Sequence, residues 1–468
     1  MSKLRLFTLG VLLLFALGTA ATLAAQDKLD HAQPAALTVQ SDQAPQPEIF
    51  HPRGRVIVPE SSVVRPEDAG LRAHTNVLIF VPEGMPVSSP IPNNTFAETP
   101  QSLACVYKNG VSYTGCTPSG GGTLHPTGGW GAIVLVDAFD NPHAASDLAT
   151  FSSHFNLPAA TFRKVYANTG FGTLHGLTAS CSGTPPGDTG WGLEEDLDIE
   201  YAHAMAPHPV IVLVEACSNS FNDLLFAEYV AGIKAYLYGG GDISNSWGSG
   251  EYSSEVSSDF FFFHDYWDKV VYFASAGDDG WGAAYPSSSP WIVSAGGTTI
   301  NRDASGNYQS ESCWSGSGGG VSQYELWQNP PDISNGMGPW AAYQYALFGT
   351  GARTTPDIAA DADPNSGAIV YDTYGYGGYV TVGGTSLASP LLAGIVNISN
   401  NRLGQGPPDT AYYANEEDNL LYAQLYGHTT HVGNFYDVTT GCNGSGHCAA
   451  AGYDQCTGVG TPRGHAGK

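Results

Sequence analysis

Short apolar runs alternate with longer amphipathic stretches from about residue 128 onward, and this alternation constrains the fold more than any other feature. Strands that are apolar throughout and separated by helices are typical of a mainly parallel sheet covered on both faces. The sequence therefore predicts an α/β fold whose ligands bind beyond the carboxyl ends of the strands. The predicted strands are 131–137, 210–215, 242–247, 270–275 and 291–295, and the predicted helices are 144–155, 194–206, 222–238 and 257–269.

A glycine-rich turn leads into an apolar helix near residue 386. Residues 382–390 read Val-Gly-Gly-Thr-Ser-Leu-Ala-Ser-Pro, and the apolar run 391–396 follows them. Glycines permit a sharp turn and close approach of a substrate, while a helix start offers free N–H groups to an oxyanion. An ordinary serine cap would show the same pattern. The turn by itself therefore leaves Ser386 as either a nucleophile or a helix cap.

The base that would activate Ser386 is either a histidine or a carboxylate. A histidine mechanism would use Asp137 and His175, but Gly-Leu-Thr follows His175 where that arrangement has a second histidine. Glu194 and Asp198 are four residues apart, so they share one face of the predicted helix. Two close carboxylates share a proton. Such a pair can accept the serine proton in acid, where an imidazole is already charged.

A second glycine-rich turn follows the predicted strand 270–275. Residues 274–280 read Ala-Ser-Ala-Gly-Asp-Asp-Gly. A protonated Asp278 at this place could donate a hydrogen bond to a tetrahedral oxyanion. The same residues are common in simple turns, so the motif is weak when taken alone.

Five segments in this order resemble the sedolisin family of serine-carboxyl peptidases. The resemblance extends over roughly residues 100–463 and implies a subtilisin-like fold. It implies that Ser386 is the nucleophile and Glu194 its general base, that Asp198 orients Glu194, and that Asp278 is the oxyanion donor. Glu195 and Asp196 are then expected to point elsewhere on the helix. The matching segments are 194–200, 246–248, 277–280, 356–364 and 383–386.

The same resemblance implies one structural calcium ion near the C-terminus, at residues 435–439 and 452–454. Hard cations take oxygen ligands, so Asp437 and Asp454 would supply carboxylates. Backbone carbonyls would come from Val438 and Gly452, and from Ala450, which stands where the family usually has glycine. Without the resemblance the two aspartates read as turn residues.

Substrate contacts are predicted only coarsely. The segment Ser246, Trp247 and Gly248 follows a strand and could pair with an extended peptide, with the Trp247 ring as a subsite wall. A position in the core is an equally good interpretation of Trp247. The glycine run 318–320 and the tyrosine-rich loop 371–379 could also line the cleft.

The N-terminal hundred residues divide into two predicted parts. Lys3 and Arg5 precede the apolar stretch 6–17, which predicts a signal peptide over residues 1–25 and hence a secreted protein. Residues 26–100 are then expected to be a leader or a short propeptide-like extension, smaller than the folded propeptide usual in the family. The catalytic domain is predicted at 101–468.

The eight cysteines suit an oxidising compartment. Their spacing leaves most pairings open, but two local ones are expected. Cys105 would pair with Cys116, and two of Cys442, Cys448 and Cys456 would pair with each other.

The formal net charge of −26 argues against nucleic acid and anionic membranes as partners, since both need a basic face. It suits an acidic working environment. The sequence thus predicts a secreted, acid-acting, monomeric serine-carboxyl endopeptidase that binds Ca²⁺ and acts on polypeptides. Two alternatives stay open. One is a His-dependent peptidase that uses Asp137, His175 and Ser386, and the other is a catalytically silent extracellular binding protein on the same fold.

Overall fold

The computed structural model of the 468-residue chain describes residues 49–50, 52–92, 94–262, 270–326, 344–345, 349, 351–399 and 433–465. The predicted signal peptide lies outside these residues. Residues from Pro47 onward belong to one compact unit.

The secondary structure follows the predicted alternation. The helices are α1 (Pro100–Val106), α2 (Ala144–His154), α3 (Thr189–Met205), α4 (Phe221–Leu237) and α5 (Thr385–Ile398). The strands are β1 (Ile49–Phe50), β2 (Gly54–Ile57), β3 (His74–Thr75), β4 (Leu78–Pro82), β5 (Ala132–Ala138), β6 (Thr161–Ala167), β7 (Thr173–Leu174), β8 (Leu177–Thr178), β9 (Val210–Ala216), β10 (Gly241–Asn245), β11 (Trp247–Gly250), β12 (Val270–Ser275), β13 (Ala284–Tyr285), β14 (Val293–Asp303), β15 (Tyr308–Cys313), β16 (Gly320–Leu326), β17 (Ala352–Thr355), β18 (Ile358–Asp361), β19 (Ala368–Asp372), β20 (Gly378–Gly383), β21 (Phe435–Tyr436), β22 (Cys442–Gly444), β23 (His447–Cys448) and β24 (Thr461–Pro462).

The central sheet has nine strands within the described part of the chain. Its order is β1-β14-β12-β10-β5-β9-β6, and β15 and β18 also pair with β14. The pairs from β14 through β6 are parallel, as is that of β14 with β18, whereas β1 and β15 run antiparallel to β14. The predicted, mainly parallel α/β sheet is therefore confirmed. The helix predicted at 257–269 is not confirmed. Two 3₁₀ turns occupy Glu255–Ser257 and Asp259–Phe261, and residues 263–269 are not described.

Both faces of the sheet are covered, as the alternation of side chains along β5 shows. Ile133 and Leu135 belong to the core formed with α3 and α5. Val134 and Val136 belong to a second core, formed with α4. Successive side chains of a strand point to opposite faces, so an uninterrupted apolar run supplies both cores at once.

No boundary between compact units falls at residue 100, because the described residues before it belong to the same compact unit as the rest. Strand β4 pairs with β20 on one side and with β2 on the other. Its apolar side chains, including Ile79 and Val81, are buried in the core that contains α3 and α5. The predicted N-terminal extension therefore packs on the catalytic domain through a strand that contributes to the main core.

Four disulfides join the cysteines, and both local expectations are confirmed by Cys105–Cys116 and Cys442–Cys448. The remaining pairs are Cys181–Cys217 and Cys313–Cys456. None of the helices in the described ranges is both long and apolar enough to cross a bilayer.

Candidate active site

Ser386 is the second residue of helix α5 and is completely buried. The helix cap, Gly384, has φ +105°, a backbone conformation that side chains other than glycine's rarely permit. A Cβ atom at Gly384 would also lie only 2.0 Å from the backbone oxygen of Asn76. The glycine turn thus places Ser386 at a helix start whose first N–H groups have no partner within the helix.

Asp278 faces this helix start. Its Oδ1 accepts hydrogen bonds from the Thr385 backbone N (2.7 Å) and from Thr385 Oγ1 (2.9 Å). Its Oδ2 is buried and has no hydrogen-bond partner within the described residues. Burial raises the pKa of Asp278 to about 8, and the two hydrogen bonds from Thr385 oppose that rise. Asp278 is therefore a neutral acid at lower pH, and its proton can reside on the unpartnered Oδ2.

Glu194 and Asp198 lie on helix α3, and both are completely buried. The helix begins at Thr189, five residues before the predicted start, because the Asp188 side chain caps it by accepting from the backbone N of Gly190 and Trp191. The predicted spacing of four residues is therefore realised well inside a helix, where the two side chains share a face.

Ser246 connects these carboxylates with Ser386. Its hydroxyl donates to Asp198 Oδ1 at 2.6 Å, and its backbone oxygen accepts from Ser386 Oγ at 3.2 Å. The Ser386 hydroxyl therefore bonds to a carbonyl in this state rather than to Glu194. The Ser386 hydroxyl nevertheless lies close enough to Glu194 to oppose the rise in the pKa of that carboxyl.

The electrostatics of the pair favour shared protons. The pKa of Glu194 lies well above its ordinary value, first because of burial and then because of the negative charges of Asp198 and Asp137. Burial and Asp137 likewise raise the pKa of Asp198, while the hydroxyl of Ser246 opposes the shift. Because like charges this close cannot all be ionised, the group holds protons at a pH where free carboxyls have lost them.

A longer carboxyl network lies behind the pair. Asp137, the last residue but one of β5, lies directly opposite Glu215 of β9, and burial and Glu215 raise its pKa. Lys164 forms an ion pair with Glu215 at 2.7 Å, and Glu195 interacts with Glu215 and Asp137. The sequence places Asp137 and Glu215 at the carboxyl ends of the predicted strands 131–137 and 210–215, but it does not show that these two strands are neighbours.

Asp196 points into a different cluster on the other side of α3. One carboxylate oxygen from each of Asp147, Asp196 and Asp372 lies within 4.8 Å of the others, and all three residues are buried. The pKa of Asp196 is raised by burial and then by Asp372. The expectation that Glu195 and Asp196 point away from Ser386 fits these surroundings, although both face the interior rather than solvent.

Of the two interpretations of Trp247, the structure favours a position in the core over a subsite wall. Its ring is completely buried and its Nε1 donates to the backbone oxygen of Val136 at 2.9 Å, so it is part of the second core. The backbone of Trp247 and Gly248 follows Ser246, which bonds to Ser386, and it pairs antiparallel with β3.

His175 does not join the cluster around Ser386. It lies in the turn between β7 and β8, where its ring packs against Tyr229 (4.8 Å between ring centres) and Phe260 (4.7 Å). Asp137, its partner in the histidine alternative, is instead surrounded by carboxyls. The structure therefore provides no arrangement of Asp137, His175 and Ser386 as a triad.

The residues predicted to bind calcium lie on two neighbouring loops. The backbone N of Gly452 donates to both carboxylate oxygens of Asp437, at 3.2 and 3.1 Å. Asp454 is buried and accepts from the backbone N of Ala450, Cys456 and Thr457. Within the described residues, the backbone oxygens of Val438, Ala450 and Gly452 accept no hydrogen bond. Unused carbonyl oxygens beside carboxylates make a donor set that suits Ca²⁺.

Comparisons with known proteins agree with this architecture. The Subtilase family model matches residues 220–434. Kumamolisin of Bacillus sp. (strain MN-32) is 30% identical over 322 residues, which are 62% of this chain and 52% of kumamolisin. Sedolisin of Pseudomonas sp. (strain 101) is 31% identical over 193 residues, 38% of this chain and 28% of sedolisin. This chain thus spans about half the length of kumamolisin and less of sedolisin.

A solved structure shares the fold. Pseudomonas sedolisin, described as a serine-carboxyl proteinase and complexed with two molecules of pseudo-iodotyrostatin, superimposes with a TM-score of 0.58 at 23% identity. The superposition covers 79% of this chain and 96% of that one. At this identity the likeness shows a common fold.

Proposed function

Because this chain belongs to the sedolisin family and has its subtilisin-like fold, we propose that it is a secreted serine-carboxyl endopeptidase that cleaves polypeptides in acid. The observation that carries the proposal is the buried cluster in which Ser386, Glu194, Asp198 and Asp278 meet. A helix start, a shared-proton carboxyl pair and a neutral aspartic acid together provide a nucleophile, its base and an oxyanion donor.

In this proposal the ionised member of the Glu194–Asp198 pair accepts the Ser386 proton as Oγ attacks the scissile carbonyl. Asp198 raises the pKa of Glu194, orients it by sharing a proton with it, and is itself fixed by Ser246. The oxyanion then receives hydrogen bonds from the Ser386 backbone N–H and from the neutral acid Asp278. Glu194 returns the proton to the leaving amine, and water hydrolyses the acyl-enzyme by the reverse sequence.

The proposed working range follows from the same groups. An imidazole base would be protonated in acid, whereas a pair of close carboxyls keeps one exchangeable proton there. Asp278 must be neutral to donate, and its pKa of about 8 satisfies this condition throughout the acidic range.

We further propose that Asp437 and Asp454, with the carbonyls of Val438, Ala450 and Gly452, hold one Ca²⁺ ion that stabilises the two C-terminal loops. The oxygen-only donor set supports this assignment. The ion takes no part in the reaction sequence above.

The remaining alternative is a catalytically silent extracellular binding protein. The test is the pH–rate profile for cleavage of an unfolded protein, measured on the wild type and on His175→Ala, with Ser386→Ala and Glu194→Gln as folded, inactive variants. We expect a maximum near roughly pH 3–5 that does not change in His175→Ala.

Three other outcomes of this experiment would each lead to a different conclusion. A maximum above about pH 7 that disappears with His175→Ala would establish a histidine base. Full activity in Ser386→Ala or Glu194→Gln would contradict the mechanism. No cleavage at any pH, with calcium present, would favour the binding protein.

A further inference from the structure

Three carboxyl groups meet in the interior between α2, α3 and the loop that follows β19. They belong to Asp147, Asp196 and Asp372, and one oxygen of each lies within 4.8 Å of the others. All three residues are at most 2% exposed. Among the described residues, no ion pair reaches any of them. The proposed reaction uses none of these carboxyls, so catalysis does not explain the cost of burying them.

Two of the three carboxyls hold the loop of residues 373–377, which connects β19 with β20. Asp147 Oδ2 accepts from the backbone N of Thr373 at 2.7 Å, and both oxygens of Asp147 lie 2.9 Å from the Thr373 hydroxyl. Asp372 Oδ1 accepts from the backbone N of Gly375 at 2.8 Å. The base of the loop is therefore tied to α2 and folded onto the end of β19.

The third carboxyl lacks a donor. Both oxygens of Asp196, and Oδ2 of Asp372, are buried and receive no hydrogen bond within the described residues. An ionised carboxylate only accepts hydrogen bonds, whereas a protonated one also donates. A proton on Asp196 therefore supplies the donor that this cluster lacks, because it can bond to an oxygen of Asp372 or Asp147.

The electrostatics favour such a proton. Burial raises the pKa of Asp196 well above its usual range, and the charges of Asp372 and Asp147 raise it further. Burial also raises the pKa of Asp372 to about 6, although the backbone N–H of Gly375 opposes the shift. On the loop itself, burial and then the charge of Asp372 raise the pKa of Tyr376, which stays a neutral phenol.

Other polar groups face the cluster from the neighbouring elements. Glu200, one turn after Asp196 on α3, adds a fourth carboxyl whose pKa is raised by burial and then by Asp196. The Asn141 amide, which donates to a backbone oxygen of α3 at 3.0 Å, opposes the rise in the pKa of Asp196 only in part. The Lys164 ammonium opposes it less and is paired with other carboxylates. His143 Nδ1 lies 2.9 Å from the hydroxyl at the loop base.

The loop 373–377 contributes to a pocket of about 370 Å³ at the start of α3, the helix of Glu194 and Asp198. Its Tyr376 lines this pocket together with Phe139 and Trp191. Other lining side chains bond to the segment that contains β3, which pairs with β11. The pocket therefore adjoins the edge of β11, where the sequence predicts that an extended peptide pairs.

We propose that Asp147, Asp196 and Asp372 form a latch that is closed by protons. In acid the shared protons hold the loop 373–377 against α2 and α3. Near neutral pH the ionised carboxyls repel one another and loosen the loop, so that the pocket loses its tyrosine wall. The latch depends only on these side chains, whereas its effect on catalysis rests on the proposed function.

The first test measures backbone hydrogen exchange by mass spectrometry in Ser386→Ala, which cannot digest itself, at about pH 4.5 and about pH 8. Each rate is divided by the rate of the unfolded peptide at the same pH. Between the two pH values, peptides that cover 373–377 should lose at least about tenfold more protection than peptides that cover β5. This comparison needs no variant of the cluster, and equal losses in the two regions would overturn the latch.

The second test removes the titration from the cluster. An asparagine at position 196 carries no charge and donates from Nδ2 at every pH. Asp196→Asn in the same background should therefore keep the loop protected at pH 8 to within about threefold of its value at pH 4.5, and Asp372→Asn should do the same. Glu67→Gln, an exposed carboxylate, should behave like the parent. A loss of protection as large as the parent's in both aspartate variants would assign the response to other groups and overturn the proposal.

The consequence for catalysis is a change in KM. With an unfolded protein as substrate, Asp196→Asn should match the wild type at pH 4.5 and have a KM at least about threefold lower at pH 7. A purely structural role of Asp196 would instead impair the variant at both pH values. The same pH dependence of KM in both enzymes would overturn the role of the pocket. A wild type that cleaves nothing at any pH would overturn the proposed function, and hydrogen exchange would still decide whether the latch exists.

Discussion

At the scale of single residues, the two oxygens of Asp278 have different tasks. Oδ1 is committed to Thr385, whereas the buried Oδ2 makes no hydrogen bond within the described part of the chain and lies beside the Asn76 carbonyl oxygen. A carboxyl is an unusual oxyanion donor because it must keep its proton. Burial raises the pKa of Asp278 to about 8, which keeps it neutral in acid.

Because the two oxygens of Asp278 have different partners, two substitutions of this residue are expected to have different effects. Asp278→Ala should lower kcat by about 10²–10³-fold at the pH optimum, the cost of one oxyanion donor. Asp278→Asn should lose much less, because its amide oxygen can still accept from Thr385 and its Nδ2 can donate without a titratable proton. Steady-state kinetics across pH check both, and equal losses in the two variants would contradict the donor role.

At the scale of elements, helix α3 places carboxyls in separate buried groups. Glu194 and Asp198 face Ser386 and Ser246, Glu195 faces Glu215, and Asp196 faces Asp372 and Asp147. A helix with buried charge on all sides is stable only if its carboxyls are protonated, paired or hydrogen-bonded. The whole helix is therefore suited to acid, and not only the proposed catalytic pair of Glu194 and Asp198.

The two C-terminal loops give a prediction at the same scale. Removing calcium with a chelator near neutral pH should lower the thermal unfolding midpoint by at least about 5 °C, because an ion bound only by the folded state stabilises it. Asp437→Ala should have the lower midpoint already and should no longer respond to chelator. Asp437 is a sharper probe than Asp454, because it accepts from one backbone N–H, that of Gly452, whereas Asp454 accepts from three.

The control is Glu67→Gln, an exposed carboxylate elsewhere, which should respond like the wild type. Midpoints that are identical with and without chelator in the wild type would rule out the metal assignment.

At the scale of the whole molecule, buried carboxyls dominate the dependence of stability on pH. Burial raises the pKa of Asp259 to about 7, of Glu215 to about 8 and of Glu255 to about 9. An unfolded chain has carboxyl pKa values near 4, so above that pH the folded state binds more protons than the unfolded state. The stability from these groups is complete below about pH 4 and is lost as pH rises through the folded values.

We therefore expect Ser386→Ala, used to prevent self-digestion, to unfold at least about 10 °C lower at pH 8 than at pH 4. One pKa unit corresponds to about 1.4 kcal/mol, and a domain of this size shifts by about 2–4 °C per kcal/mol. Adding Glu255→Gln should reduce this difference, whereas adding Glu67→Gln should not. Calorimetry in excess calcium measures it, and an equal or higher midpoint at pH 8 would contradict the explanation.

Much of this architecture could be predicted from the sequence because it follows from local patterns. Apolar runs gave the parallel sheet, a spacing of four residues placed Glu194 beside Asp198, and the glycine turn placed Ser386 at a helix start. The position of Asn76 could not be predicted in this way, since it depends on the pairing of β3 with a strand far along the chain.

Register and packing explain the other differences. Asp137 meets Glu215 because of the register between β5 and β9, which no local pattern specifies. Trp247 follows a strand that ends at the site, but its side chain turns into the core behind it. His175 has the sequence surroundings of a surface turn, and its aromatic neighbours come from α4 and from a later 3₁₀ turn.

The disulfide between Cys313 and Cys456 spans 143 residues, including Ser386. A single break in the backbone anywhere between these cysteines leaves both pieces covalently joined. A peptidase of the proposed kind is exposed to cleavage by its own copies, and this disulfide keeps Ser386 and the C-terminal loops in one covalently joined molecule after such a cut. Such a cut would be visible on a gel only after the disulfides are reduced. A molecule can therefore stay in one piece longer than its backbone stays intact.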